Sequence, residues 1–253
     1  MGARPKVAFF EFTSCEGCQL TVVDSLQTHP ELLDAVEIVR FREAMSEKGD
    51  DYLIAFVEGS ISRASDEAQL KQIRERAALV VALGTCAHLG GINTIRNRQE
   101  LQSVRRYVYG DKADWYETYP ARPLSAVVPI DAVIPGCPID RGEFVAVVTA
   151  LLQGRKPWLP DYPVCVECKL KENVCVYQRK QTCLGPITRA GCDAICPTYG
   201  DGCEGCRGLI PNPNLSSMKN VLAEHGMTAD ETLAKTTLFL TYQMMELEAG
   251  TDG

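Results

Sequence analysis

Cysteine is the residue type in this chain best suited to chemistry, with twelve copies in 253 residues. Four stand apart. Cys15 and Cys18 form a C-x-x-C pair, Cys86 closes a Gly-Thr-Cys, and Cys137 sits in a Pro-Gly-Cys-Pro. The other eight, Cys165, Cys168, Cys175, Cys183, Cys192, Cys196, Cys203 and Cys206, are crowded together. Thiolates select soft metals, and closely spaced pairs lower the loop entropy of assembling a site. Read in order, Cys165, Cys168, Cys175 and Cys183 make one set of four, and Cys192, Cys196, Cys203 and Cys206 make another. With the first four they form three sets and leave none over. Four thiolates suit either a tetrahedral zinc or a [4Fe–4S] cluster, and spacing alone does not choose. Any one of these cysteines taken singly reads equally well as a buried structural residue.

The elements needed to gather them follow from the hydrophobic pattern. Short apolar runs at 6–13, 35–41, 52–57 and 78–83, with a weaker one at 126–134 interrupted by Pro129, predict five strands. Helical patterns at 18–27, 66–77 and 141–152 alternate with them. Strands alternating with helices predict an α/β fold, a parallel sheet covered on both faces, in the flavodoxin-like order 2-1-3-4-5. Ligands of such a sheet bind outside the carboxyl ends of its strands. Cys15, Cys18, Cys86 and Cys137 each follow a strand, so all four are expected at that one edge. Glu58 ends the third strand there and is a candidate cofactor-binding or capping carboxylate. Glycines 17, 59, 84, 90, 91 and 136 would let backbone approach, and a helix starting near Cys18 would aim amides at an anionic group.

Three prolines within 157–163 mark a boundary, giving an expected first domain over 1–155 and a second over 164–253. The segment 164–211 has almost no hydrophobic periodicity. It cannot fold by burying apolar surface, so bound metal must supply the folding energy. Two helices are expected after it, 215–225 and 228–248, the second opened by a capping box of Thr228 and Glu231.

Composition excludes several classes. Hydrophobic residues are 45% and charged residues 23%, as in ordinary globular proteins. A net charge of −7 argues against a nucleic-acid partner. No apolar run reaches the about 18 residues of a membrane span, so no membrane anchor is expected. The opening Met-Gly-Ala-Arg-Pro-Lys has neither an apolar signal core nor a twin-arginine pair, which points to a cytoplasmic location. Thiols stay reduced there, so disulfides are the weaker reading of the cysteines. His88, two residues past Cys86, reads as an ordinary polar histidine. Arg96, Arg98, Arg105 and Arg106 read as a solvated helix face. Trp115, Tyr116 and Tyr119 read either as a partner-facing loop or as packing.

The motifs Cys15-Glu16-Gly17-Cys18, Glu58-Gly59-Ser60, Gly84-Thr85-Cys86, Pro135-Gly136-Cys137-Pro138, Cys183-Leu184-Gly185-Pro186 with Cys192, and Cys203-Glu204-Gly205-Cys206 occur in this order. Together they resemble the small subunit of [NiFe]-hydrogenases, over nearly the whole chain. The resemblance implies three [4Fe–4S] clusters. The proximal one would be held by Cys15, Cys18, Cys86 and Cys137, and the distal one by Cys165, Cys168, Cys175 and Cys183. The medial one would be held by Cys192, Cys196, Cys203 and Cys206. It also implies a separate large subunit carrying the nickel–iron site, so no catalytic residue is sought in this chain. Cys165 replaces the histidine of membrane-associated members, and Cys196 supplies a fourth medial ligand. These departures resemble the cytosolic branch. Its partner would be a flavin/iron–sulfur diaphorase-type subunit or another subunit that reduces a soluble carrier. The carrier would be a nicotinamide, a deazaflavin, ferredoxin or a disulfide-reducing protein.

Two rival readings remain at this point. A quinone-linked dehydrogenase subunit like that of complex I shares the first fold, but typically carries adjacent cysteines, which this chain lacks. A zinc-stapled interaction protein explains the thiols but not their placement after strands.

Overall fold

The computed structural model describes residues 4–250. The readings placed on residues 1–3 and 251–253 lie outside the described residues. The chain divides into two compact units, Met1–Pro157 and Trp158–Gly253.

The first unit is built on a five-stranded parallel sheet of order β2-β1-β3-β4-β5, with β1 Lys6–Glu11, β2 Glu37–Arg40, β3 Ile54–Glu58, β4 Leu79–Leu83 and β5 Ala132–Ile134. This is the order expected from the alternating pattern. All of β3 is buried, which is why it reads as a continuous apolar run. Alternate residues of each strand feed two cores. Phe9, Ile54, Phe56, Val81 and Leu83 pack with Phe144, Val147 and Val148 of α6 (Arg141–Leu152) and with Val22 of α1 (Gly17–Thr28). Ala8, Phe10, Ala55, Val57 and Val80 pack with Leu70 and Ile73 of α3 (Ala64–Arg76). Phe9 stacks on Phe41 and Phe56 at 4.3 and 5.0 Å. A short α2 (Glu31–Ala35) leads into β2.

The fifth strand is shorter than its pattern. Pro129 has no N–H to give a ladder, and the chain instead makes a 3-10 turn at Leu124–Ala126. Asp131 then docks the strand by accepting the Val80 N–H at 2.7 Å. A helical stretch that the pattern did not reveal follows β4. It comprises α4 (Gly84–Leu89), a 3-10 segment Gly91–Arg98, α5 (Leu101–Tyr109) and a second 3-10 segment Gly110–Trp115. The arginines here are less solvated than a bare helix face. Arg96 donates to Thr118 at 3.1 Å and Arg105 to the Ala113 carbonyl at 2.5 Å. Trp115 is exposed, whereas Tyr119 packs against the second core and bonds the Arg63 carbonyl.

The second unit holds α7 (Val164–Leu170), a short α8 (Ile195–Thr198), α9 (Leu215–Glu224), α10 (Ala229–Thr237) and α11 (Thr241–Gly250). The capping box of Thr228 and Glu231 is present. The expected single helix over 228–248 is broken between α10 and α11. Thr236, Thr237 and Thr241 each return their hydroxyl to the carbonyl four residues back, at 2.6–2.8 Å. Such back-bonding competes with the helix ladder and bends it. Among the described residues no helix is long and apolar enough to cross a membrane.

Candidate metal centres

Strand register assembles the first centre. Glu11 pairs with Glu58, Glu58 with Leu83, and Leu83 with Ile134, so the carboxyl ends of β1, β3, β4 and β5 lie in one row. The loops beyond that row are tied to one another. Thr13 and Ser60 exchange backbone hydrogen bonds, and the Thr85 N–H donates to the Gly136 carbonyl at 2.9 Å. These ties bring Cys15, Cys18, Cys86 and Cys137 within electrostatic reach of one another. Burial, then the charge of neighbouring Cys137, pushes the Cys86 thiol up to about 12. Cys18 is raised further, by burial first and then by Glu58. Four thiolates gathered in such a place repel one another and need cationic charge among them, which is what a metal group supplies.

The lining fits a bulky group. A Cβ on Gly84 would lie 2.3 Å from the Cys18 sulfur, one on Gly91 3.1 Å from the Cys86 sulfur, and one on Gly17 3.4 Å from the Cys15 sulfur. Backbone lines this centre because side chains would displace its thiols.

Glu58 is 2% exposed and accepts from the N–H groups of Cys18 and Gln19, at 3.4 and 3.0 Å. Burial raises its carboxyl above the ordinary value, and these amides offset part of that rise. Glu16, the N-cap residue of α1, offers no side-chain cap, so the carboxylate of β3 caps α1 from outside. The amides assigned to an anionic group by sequence reading are therefore partly used by Glu58. Glu58→Ala leaves two buried donors unsatisfied and should cost about 1–3 kcal/mol. It should lower the thermal unfolding midpoint, while Glu58→Gln, whose single carbonyl oxygen serves only one of the two donors, recovers about half of the loss. Equal losses in both variants would show that the charge matters and the hydrogen bonds do not.

The second unit crowds the other eight. Cys165 on α7 feels Cys183, Cys168 and Cys175, and with burial as the main cause its thiol rises to about 11. Cys183 accepts from the N–H groups of Gly185 and Cys203, at 3.3 and 3.1 Å. The Tyr177 hydroxyl donates to the Cys183 carbonyl at 2.7 Å, and the Tyr177 ring packs on His225. Cys203 is raised by burial and senses both Cys183 and Cys206. Cys192 and Cys196 are raised chiefly by burial. The next influences on Cys192 are Arg207 and Glu167, and on Cys196 they are Asp201 and Glu204. Among the described residues no three His, Cys, Asp or Glu side chains are set closely enough to hold a single metal ion.

Sequence reading missed two polar residues here. Glu167, between Cys165 and Cys168, accepts from the N–H groups of Gly191 and Ala194 at 2.6 and 3.1 Å. Asp193 and Ala194 both hold left-handed backbone, so this carboxylate fixes a strained turn next to Cys192. Arg207 is 1% exposed. Its only signal in the sequence is its position directly after a C-x-x-C pair.

Residues 15–151 match the family described as NADH ubiquinone oxidoreductase, 20 Kd subunit. The chain is 39% identical to sulfhydrogenase 2 subunit delta of Pyrococcus furiosus, over 91% of this chain and 96% of that one. It is 33% identical to a subunit of the F420-non-reducing hydrogenase vhu of Methanocaldococcus jannaschii, over 92% of each. Among solved structures, a chain of an NAD+-reducing [NiFe]-hydrogenase in the H2-reduced state has a similar fold. Its TM-score is 0.57 at 24% identity, covering 62% of this chain and 96% of that one. The family description is that of the complex I-like subunit, but the relatives matched over nearly the whole chain are hydrogenase subunits. The chain therefore belongs to this family and, within it, is an electron-transfer small subunit of a [NiFe]-hydrogenase, an iron–sulfur protein that works with a large subunit.

Proposed function

We propose that the chain holds three [4Fe–4S] clusters and carries electrons between the nickel–iron site of its large subunit and a subunit that reduces a soluble carrier, in the cytoplasm. Cys15, Cys18, Cys86 and Cys137 hold the proximal cluster in a first domain over 1–155. Cys165, Cys168, Cys175 and Cys183 hold the distal cluster, and Cys192, Cys196, Cys203 and Cys206 the medial one, in a second domain over 164–253. The observation that carries the reading is the convergence of four thiols, from the three connections that follow β1, β4 and β5, on the carboxyl edge of one sheet. When bound, such clusters supply reversible one-electron transfer, at low potential under all-thiolate ligation.

The residues of the chain hold and orient. Glu58 fixes the turn that carries Cys18. The Gly185 and Cys203 amides point at the Cys183 sulfur, and hydrogen bonds to ligand sulfur raise a cluster's potential. No general acid or nucleophile is assigned.

The test is anaerobic purification of the tagged chain from its native host, with mass spectrometry of the subunits that come with it. A large subunit with C-x-x-C pairs near both ends and a flavin-binding subunit are expected, in a brown preparation whose redox titration shows three [4Fe–4S] signals. A colourless zinc preparation, or an oxidised [3Fe–4S] signal in intact protein, overturns the cofactor assignment. In that complex Cys192→Ser should slow carrier reduction at least tenfold, yet leave hydrogen–deuterium exchange at the large subunit within twofold of the parent. Equal loss of both would mean that the substitution unfolds the chain.

A further inference from the structure

Arg207 is among the largest side chains that the structure buries completely. It follows Cys206, and its Nε donates to the Ala190 carbonyl at 2.8 Å, two residues before Cys192. The guanidinium is thus held beside the loop that presents Cys192 and next to the C-x-x-C pair of Cys203 and Cys206. Arginine keeps its charge at every accessible pH, and burying a charge is costly unless opposite charge lies near. The thiolates of this set lie close by, since Arg207 directly follows Cys206 and is tied to the loop that presents Cys192. Glu167 brings the opposite charge to the same loop. Its carboxylate grips the Gly191 and Ala194 amides on either side of Cys192. Lys171 pairs with Asp193 at 2.5 Å, and Lys235 pairs with Glu204.

We propose that Arg207 and Glu167 set the reduction potential of the iron–sulfur group held by Cys192, Cys196, Cys203 and Cys206, the arginine raising it and the glutamate lowering it. The inference rests on the ligand set given under the proposed function. Reduction adds one electron and therefore one negative charge, with no bond made or broken in the chain. A fixed cation in a buried, weakly screened place favours that added charge, and a fixed anion opposes it. Glu167 also lies between Cys165 and Cys168, so its influence extends to their set, whereas Arg207 directly follows Cys206.

The experiment is a redox titration of the purified complex followed by EPR, with three variants beside the parent. Arg207→Gln should lower the midpoint by the equivalent of about a tenfold change in the ratio of reduced to oxidised form, or about 59 mV for a one-electron couple. Arg207→Lys, which keeps the charge, should stay close to the parent. Glu167→Gln should raise the midpoint. A purely structural role would not move the two neutralised variants in opposite directions. Unshifted midpoints in Arg207→Gln and Glu167→Gln overturn the inference, as does an Arg207→Lys shift equal to that of Arg207→Gln. If Arg207→Gln loses its iron, Glu167→Gln decides: a raised midpoint supports the inference and an unchanged or lowered one overturns it. A parent complex with no signal from this set instead overturns the ligand assignment, and the inference with it.

Discussion

Gly84→Ala should strip iron from the first centre and leave the second unit loaded, so that iron per chain falls by about a third. Gly84 begins α4 at φ +82°, where a side chain costs about 1–2 kcal/mol. The larger effect is on Cys18. The new methyl would lie 2.3 Å from its sulfur, and that sulfur escapes only by rotating about χ1. Rotation relieves the overlap at modest cost to folding, but it turns one of four thiols away from the others. The fold should therefore survive, with the thermal midpoint lowered by several degrees, while hydrogen-driven carrier reduction falls at least a hundredfold. Iron analysis with circular dichroism separates the two effects. A chain that keeps all its iron would show that Cys18 is not a ligand.

Gly202→Ala should do the reverse and damage the fold itself. A Cβ there would sit 1.8 Å from the Thr182 carbonyl oxygen and 2.9 Å from its carbon. Both are backbone, and no side-chain rotation relieves the contact. The two segments must separate, which breaks the Leu184 N–H to Cys203 carbonyl bond of 2.8 Å and the Cys203 N–H to Cys183 sulfur contact. The cost should exceed about 3 kcal/mol, the upper range for overpacking. Iron should be lost from both sets of the second unit while the first centre keeps its own. Gly226→Ala is the control. A Cβ there meets nothing within 4 Å, so only a backbone cost of about 1–2 kcal/mol is expected. Retention of iron by Gly202→Ala at the parent level would show that the contact relaxes without breaking the unit.

The sheet was legible because its signal is local. Strands buried on both faces are uniformly apolar, and order and edge follow from the rules of parallel α/β folds. Cys15, Cys18, Cys86 and Cys137 could be placed at one edge because each follows its strand within a few residues. Glu58 was placed correctly at that edge, but its partners were not visible. That it caps α1 depends on β1–β3 register, a long-range property. Around 96–106 only a helix face was legible, because Arg96 and Arg105 reach carbonyls outside their own turns and no residue of α5 is buried. In the second unit the thiols give the sequence its pattern, but Glu167 and Arg207 act through single side chains on irregular backbone. No periodicity marks such residues. The break between α10 and α11 coincides with the threonines at 236, 237 and 241, whose hydroxyls return to the helix carbonyls.

The two halves of this chain stand on different supports. The first has two apolar cores, one on each face of its sheet, whereas in the second Val164, Val176, Leu184, Ile187 and Ala194 are buried among its cysteines. In an iron-starved cell the first half should still fold, and the ligand segment of the second should stay open to proteases. Proteolysis would then act as an audit of iron supply, trimming unloaded chains back toward Pro157 before they could occupy a large subunit. The stability of the second half would report, chain by chain, whether its cofactors had been delivered.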